Sequence, residues 1–171
     1  RRTMSWKFED AAPVIGSTTE GNAWDGERML YSNIPMNRIL SLDPESGLVE
    51  IFREDTEATN GLNFDSEGRL FGCSGNGRKI VRFDPNGAMV TIADRLDGRR
   101  INSPNDLAIT PSGSIYFSDR IGDVEPGVGI SFSAIISAEP QEDGSYKTVR
   151  RTFDCSMPNG LLFSNDYKPL Y

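Results

Sequence analysis

The 171-residue sequence contains no histidine. That absence excludes Ser-His-Asp and Cys-His nucleophilic catalysis, imidazole-ligated zinc and a histidine general base within the chain. Any hydrolytic chemistry must run on carboxylates, amides, lysines or a cation held by oxygen atoms. Cysteine is almost absent too: Cys73 and Cys155 have no metal-type spacing and predict no disulfide framework. Cys73, inside an apolar run, reads as a small buried thiol. No stretch reaches membrane-spanning length and no apolar signal core opens the sequence, so no membrane partner is expected. The net charge of −7 argues against nucleic acid. There is neither a GxSxG elbow nor a GxxxxGK[ST] phosphate loop, and Gly75-Asn76-Gly77 lacks the following helix a phosphate cradle needs. Helix signals are scarce, because Gly and Pro interrupt every candidate run while Val, Ile, Phe and Tyr alternate with polar residues.

What is present is a repeat. From Asn60 to Asp94 the sequence reads as four short strands: one after Asn60-Gly61-Leu62, one through Leu70 to Cys73, one from Lys79 to Phe83 and one from Ala88 to Ala93. They are separated by turns at Ser66-Glu67-Gly68, Gly75-Asn76-Gly77 and Asp84-Pro85-Asn86-Gly87, which makes an antiparallel meander. Related copies open at Glu20, Asn105 and Asn159. The steps Glu20 to Tyr31, Asn60 to Phe71 and Asn105 to Tyr116 are equal; Asn159 to Tyr171 is one longer, as if a turn residue were added near Asn165-Asp166. Repeats of this length with four strands each predict an all-β fold of propeller blades in one domain over 1–171. Only about three and a half to four blades are present, so the chain reads as an incomplete propeller and a fragment of a longer protein. The segment Arg1 to Thr19 is expected to form an outer strand or a closing blade, with Trp6 and Phe8 as packing residues. The irregular stretch Asp119 to Gly129 reads as a surface loop, either plainly solvated or covering a site.

The chemistry lies in the residue that opens each copy. Radial symmetry puts Glu20, Asn60, Asn105 and Asn159 on a ring about the axis, and four oxygen-bearing side chains would meet at one mouth of the channel. One carboxylate with several amide carbonyls suits a hard divalent cation such as Ca²⁺. The competing reading is structural, since Asn60-Gly61 and Asn159-Gly160 are also hairpin-turn dipeptides. Against it, Glu20 is a poor turn residue, and Glu54 to Thr59 do not alternate as a hairpin partner would.

The segments EGNAW at Glu20, NGLNFDSEGRLFGC at Asn60 and RINSPNDLAITPSGSIYFSD at Arg100 resemble the gluconolactonase/senescence-marker-protein/luciferin-regenerating family, and the resemblance runs from Glu20 to Tyr171. It implies a six-bladed β-propeller with a divalent cation in its channel, usually Ca²⁺, with Zn²⁺, Mg²⁺ and Mn²⁺ also open. It implies hydrolysis of lactones, aldonolactones among them, with a small-molecule lactone as the partner and no oligomeric state specified. By the same resemblance Glu20, Asn105 and Asn159 look like metal ligands, and Glu20 is cast as ligand rather than base. Asn105 also reaches substrate, with Ser103 beside it; Asn60 and Arg100 are further substrate-contact candidates, although a solvated arginine is the simpler expectation for Arg100. Asp106 is expected to orient the strand start or hydrogen-bond its neighbours. Two features depart from the family. Glu20-Gly21-Asn22-Ala23-Trp24 stands where it often has Glu-Gly/Ser-Pro-Val-Trp, and its metal-binding aspartate, the favoured general base, is expected beyond Tyr171. The 171 residues alone are therefore expected to bind metal weakly and turn over little substrate. A non-catalytic Ca²⁺-binding propeller and a phosphotriesterase-like hydrolase remain the alternatives on this scaffold.

Overall fold

The computed structural model describes residues 6–11, 18–121, 125 and 127–171. Three four-stranded antiparallel sheets follow one another, each a simple meander. The first contains β1 (Thr19–Trp24), β2 (Met29–Asn33), β3 (Arg38–Leu42) and β4 (Val49–Glu54). The second contains β5 (Thr59–Phe64), β6 (Leu70–Ser74), β7 (Lys79–Phe83) and β8 (Met89–Ala93). A two-stranded hairpin, β9 (Arg95–Leu96) and β10 (Arg99–Arg100), leads to the third sheet. That sheet contains β11 (Pro104–Ile109), β12 (Ile115–Asp119), β13 (Ala134–Pro140) and β14 (Tyr146–Arg150). A fourth repeat begins after Asn159, where Phe163 pairs with Leu170 in an isolated antiparallel bridge. A short 3-10 turn at Ile34–Met36 separates β2 from β3.

The turns form where the sequence provides internal caps. Asp65 accepts the Glu67 and Arg69 amides and also pairs with the Arg69 guanidinium. Asp43 caps Glu45 and Ser46 in the same way. Between the sheets the packing is apolar. Leu30, Ile39, Leu62 and Val81 fill the space between the first and second sheets. Phe71, Ile80, Phe117 and Ile136 fill the space between the second and third, and Cys73 lies fully buried among them as a free thiol. The first strands lie innermost: β1 packs beside β5, and β5 beside β11. This is the radial arrangement of propeller blades.

Strand register fixes which residues are equivalent. Thr19 faces Asn33, Thr59 faces Ser74 and Pro104 faces Asp119, and each pairing is followed by a bulge in the inner strand. Glu20, Asn60 and Asn105 are the next residues, so all three sit at the same place, where the inner strand kinks. Asn60-Gly61 lies inside β5, which removes its hairpin-turn reading. The equal step from Glu20 to Tyr31 is not an equivalence, however. Pairing through β3 and β7 places Tyr31 with Gly72 and Phe117, because the Asp25–Arg28 turn is one residue shorter than the Asp65–Arg69 turn.

The N-terminal expectation needs correction. Trp6 is 76% and Phe8 90% exposed, and residues 6–11 form no strand; residues 1–5 and 12–17 lie outside the described residues. Among the described residues no sheet covers these aromatic side chains. In the 119–129 stretch, Asp119 ends β12, and residues 122–124 and 126 lie outside the described residues. Its far end is tied down, since Arg78 donates to the Val128 carbonyl and Arg99 to the Gly129 carbonyl.

Candidate functional site

The inner strands approach one another so closely that side chains are excluded between them. A Cβ at Gly61 would lie 2.6 Å from Asp106 Oδ1, 2.7 Å from the Asp106 Cα and 2.9 Å from the Asn105 carbonyl oxygen. A Cβ at Gly21 would run into the Asn60 carbonyl. In register, the residues one step past the ring are Gly21, Gly61, Asp106 and, in the fourth repeat, Gly160. Gly61 thus leaves the space that the Asp106 carboxylate occupies, and Gly21 makes room for the Asn60 carbonyl.

A cavity of about 270 Å³ opens at this point. Glu20, Asn22, Asn60, Asn63, Asp106 and Asn159 supply its polar wall. Leu62, Leu107 and Leu161, equivalent residues of three successive repeats, supply the apolar part. A larger groove of about 560 Å³ between the first two sheets is lined by Phe52, Phe64 and Phe83 with Arg53 and Arg69, and holds none of the sequence-predicted site residues.

Glu20, Asn60 and Asn159 therefore come together as the ring reading expects. Asn105 does not border the cavity. It is 7% exposed, and its amide oxygen is buried with no hydrogen-bond partner. Ser103 and Arg100 also lie away from the cavity. Ser103 accepts from the Arg120 amide through its carbonyl, and Arg100 donates to the Gly77 carbonyl at 2.6 Å. Arg100 thus fastens the β10–β11 connection to the β6–β7 loop.

Asp106 does what was expected of it and more. Its Oδ1 accepts from its neighbour Leu107 N and its Oδ2 from Leu161 N of the next repeat, both at 2.9 Å. Burial pushes its carboxyl above the usual range, the two amides pull it back, and the negative charge of Glu20 raises it further. Asp119 was read only as the start of a loop. It is fully buried, accepts from the Asn102 amide at 2.9 Å, and is pushed up to about 6, chiefly by desolvation. One signal in the sequence could have drawn attention to Asp106: at the position after each opening residue it is the single acidic residue among glycines.

The donors at the mouth are all oxygens. Among the described residues no three His, Cys, Asp or Glu side chains cluster, so a cation here would rest mainly on amides. The carboxylate of Glu20 and the amides of Asn60 and Asn159 fit a hard cation, with the unpartnered oxygen of Asn105 at the equivalent position in β11, whereas a soft one would want sulfur or imidazole.

Blades packed about a polar mouth of this kind define a propeller-type site. The chain belongs to the SMP-30/Gluconolactonase/LRE-like region family, whose model matches residues 18–171. It is 26% identical to a gluconolactonase of Zymomonas mobilis over 90% of this chain and 48% of that protein. The solved gluconolactonase of Xanthomonas campestris superposes with a TM-score of 0.79 at 31% identity, over 90% of this chain and 52% of that one. A calcium-binding regucalcin from Agrobacterium tumefaciens shares the fold, with a TM-score of 0.64 at 21% identity over 92% of this chain and 50% of that one. The chain spans about half the length of the relatives it matches.

Proposed function

We propose that the protein to which this chain belongs hydrolyses a sugar-type lactone at the mouth formed by the inner strands. The observation that carries the reading is the convergence of Glu20, Asn60 and Asn159 on one cavity, with Asn105 at the equivalent place in β11. The likeness to gluconolactonases supports the same substrate class. Glu20, Asn105 and Asn159 would hold a divalent cation, Ca²⁺ by the chemistry of its donors. When bound, such a cation supplies charge stabilisation to an oxyanion. Asn60, Asn63 and Asn22 can donate to or accept from sugar hydroxyls, and the leucine wall accepts the ring carbons. Glu20 is suited to ligation rather than proton abstraction, because a carboxylate shared with a cation is a weak proton acceptor.

The test is acid release from glucono-δ-lactone by the product of the complete gene, followed with and without a chelator. Release abolished by chelation and restored by Ca²⁺ supports the proposal. Background release with Ca²⁺ bound would point to a binding platform, and release from a phosphotriester alone to the phosphotriesterase-like alternative.

A further inference from the structure

The fourth repeat carries a proposed ligand but little structure of its own. Asn159 and Gly160 lie in no strand, and Asn159 is exposed. Two side chains of the preceding sheet grip this segment. Ser118 Oγ, itself fully buried, donates to the Asn159 carbonyl at 2.7 Å. Asp106 Oδ2 accepts from Leu161 N at 2.9 Å. The two are joined to each other, since the Asp106 amide donates to Ser118 Oγ at 3.1 Å. The contrast with the first sheet is informative. There Ser32, equivalent to Ser118 in register, donates to the carbonyl of Glu20 in its own sheet. In the third sheet the serine keeps only a long 3.5 Å contact to the Asp106 carbonyl of its own sheet and makes its short bond to the next repeat. The carboxylate beside it needs Gly61, where a Cβ would lie 2.6 Å from Oδ1, whereas a Cβ at Gly160 would meet Oδ2 at an ordinary contact distance of 3.7 Å.

We propose that Asp106, with Ser118, is the positioning residue that fixes Asn159 against the mouth, so that Asn159 and Glu20 present their oxygens to one cation; this rests on the reading of the mouth as a cation site. Asp106 acts through the backbone of residues 159–161 and is not itself counted as a ligand. Partners that orient ligands in this way commonly change metal affinity about 10–100-fold when removed.

The experiment is a Ca²⁺ titration of the ¹⁵N-labelled product of the complete gene, read by the side-chain amides of Asn105 and Asn159 and by hydrogen exchange at Leu161 N. In the wild type both amides are expected to shift with Ca²⁺. Asp106→Ala should lose exchange protection at Leu161 and weaken Ca²⁺ binding about tenfold or more, while the amides of β6 and β7 keep their positions. Asp106→Asn retains one acceptor for Leu161 N and should stay within about threefold of wild type. Ser118→Ala should weaken binding in the same direction, which covers the case of an Asp106→Ala chain that does not fold. Wild-type binding unchanged in both Asp106→Ala and Ser118→Ala overturns the positioning role alone, and so does equal loss in Asp106→Asn and Asp106→Ala. A wild type whose Asn105 and Asn159 amides ignore Ca²⁺ overturns the cation reading, and Leu161 protection then shows whether the clamp is purely structural.

Discussion

Replacing Gly61 by alanine tests the close approach of β5 and β11 with one methyl group. The new Cβ would stand 2.6 Å from Asp106 Oδ1, 2.7 Å from the Asp106 Cα and 2.9 Å from the Asn105 carbonyl oxygen. Two of these three neighbours are backbone, so relief requires the strands to separate. Overpacking of this kind costs about 1–3 kcal/mol, and backbone obstruction puts Gly61→Ala at the upper end. Alanine restricts the unfolded chain and returns about 0.4–1 kcal/mol. The net loss is about 2 kcal/mol, a fall of about 4–8 °C in melting temperature for a chain of this size. The backbone of Gly61 is not left-handed, so the effect is steric alone. Gly68→Ala is the control: its φ is +75° with no atom within 4 Å, and it should show conformational strain without strand separation. Thermal melts followed by circular dichroism, with Leu107 amide exchange as the local probe, measure both. A Gly61→Ala chain melting within about 1 °C of wild type, with Leu107 unchanged, would refute the packing of inner strands on which the site depends.

Glu20→Gln removes the one carboxylate of the proposed ligand set and should weaken Ca²⁺ binding by at least about tenfold with an unchanged melting temperature, measured by the same titration. Phe117→Ala empties a fully buried site between the second and third sheets and should destabilise by about 3–5 kcal/mol in urea unfolding. Asp119 titrates at about 6 when folded against an ordinary value of 3.8, so the folded state holds the proton more tightly. Its contribution is favourable at low pH and is lost as pH rises through about 6. Between about pH 7 and pH 5 wild type should therefore gain about 1 kcal/mol relative to Asp119→Asn in urea unfolding, and parallel curves would contradict this.

Much of the fold could be read from local patterns. The strand Lys79–Phe83 was legible to the residue because a Gly-Asn-Gly turn precedes its alternating apolar residues and an Asp-Pro turn follows. The equivalence of Glu20, Asn60 and Asn105 was legible because inner strands repeat their opening residue. The equivalence of Tyr31 with Phe71 was misread, since a deletion in the Asp25–Arg28 turn shifts everything after it and equal counting conceals the shift. The exposure of Trp6 and Phe8 was not legible at all: an aromatic residue type predicts burial, but whether a surface exists to cover it depends on distant chain. The same limit hid the burial of Asp106 and Asn105. Their burial arises from the approach of β5, β11 and the 159–161 segment, residues 45 or more apart in places, and no local pattern encodes that distance.

A crystal structure of the Ca²⁺-soaked product of the complete gene tests the central claim most directly. The account predicts one ion at the mouth, with a Glu20 carboxylate oxygen and the Asn105 and Asn159 amide oxygens each at about 2.3–2.6 Å. An ion bound elsewhere, or these three side chains turned to separate places with the mouth filled by Ca²⁺-independent contacts, would contradict it.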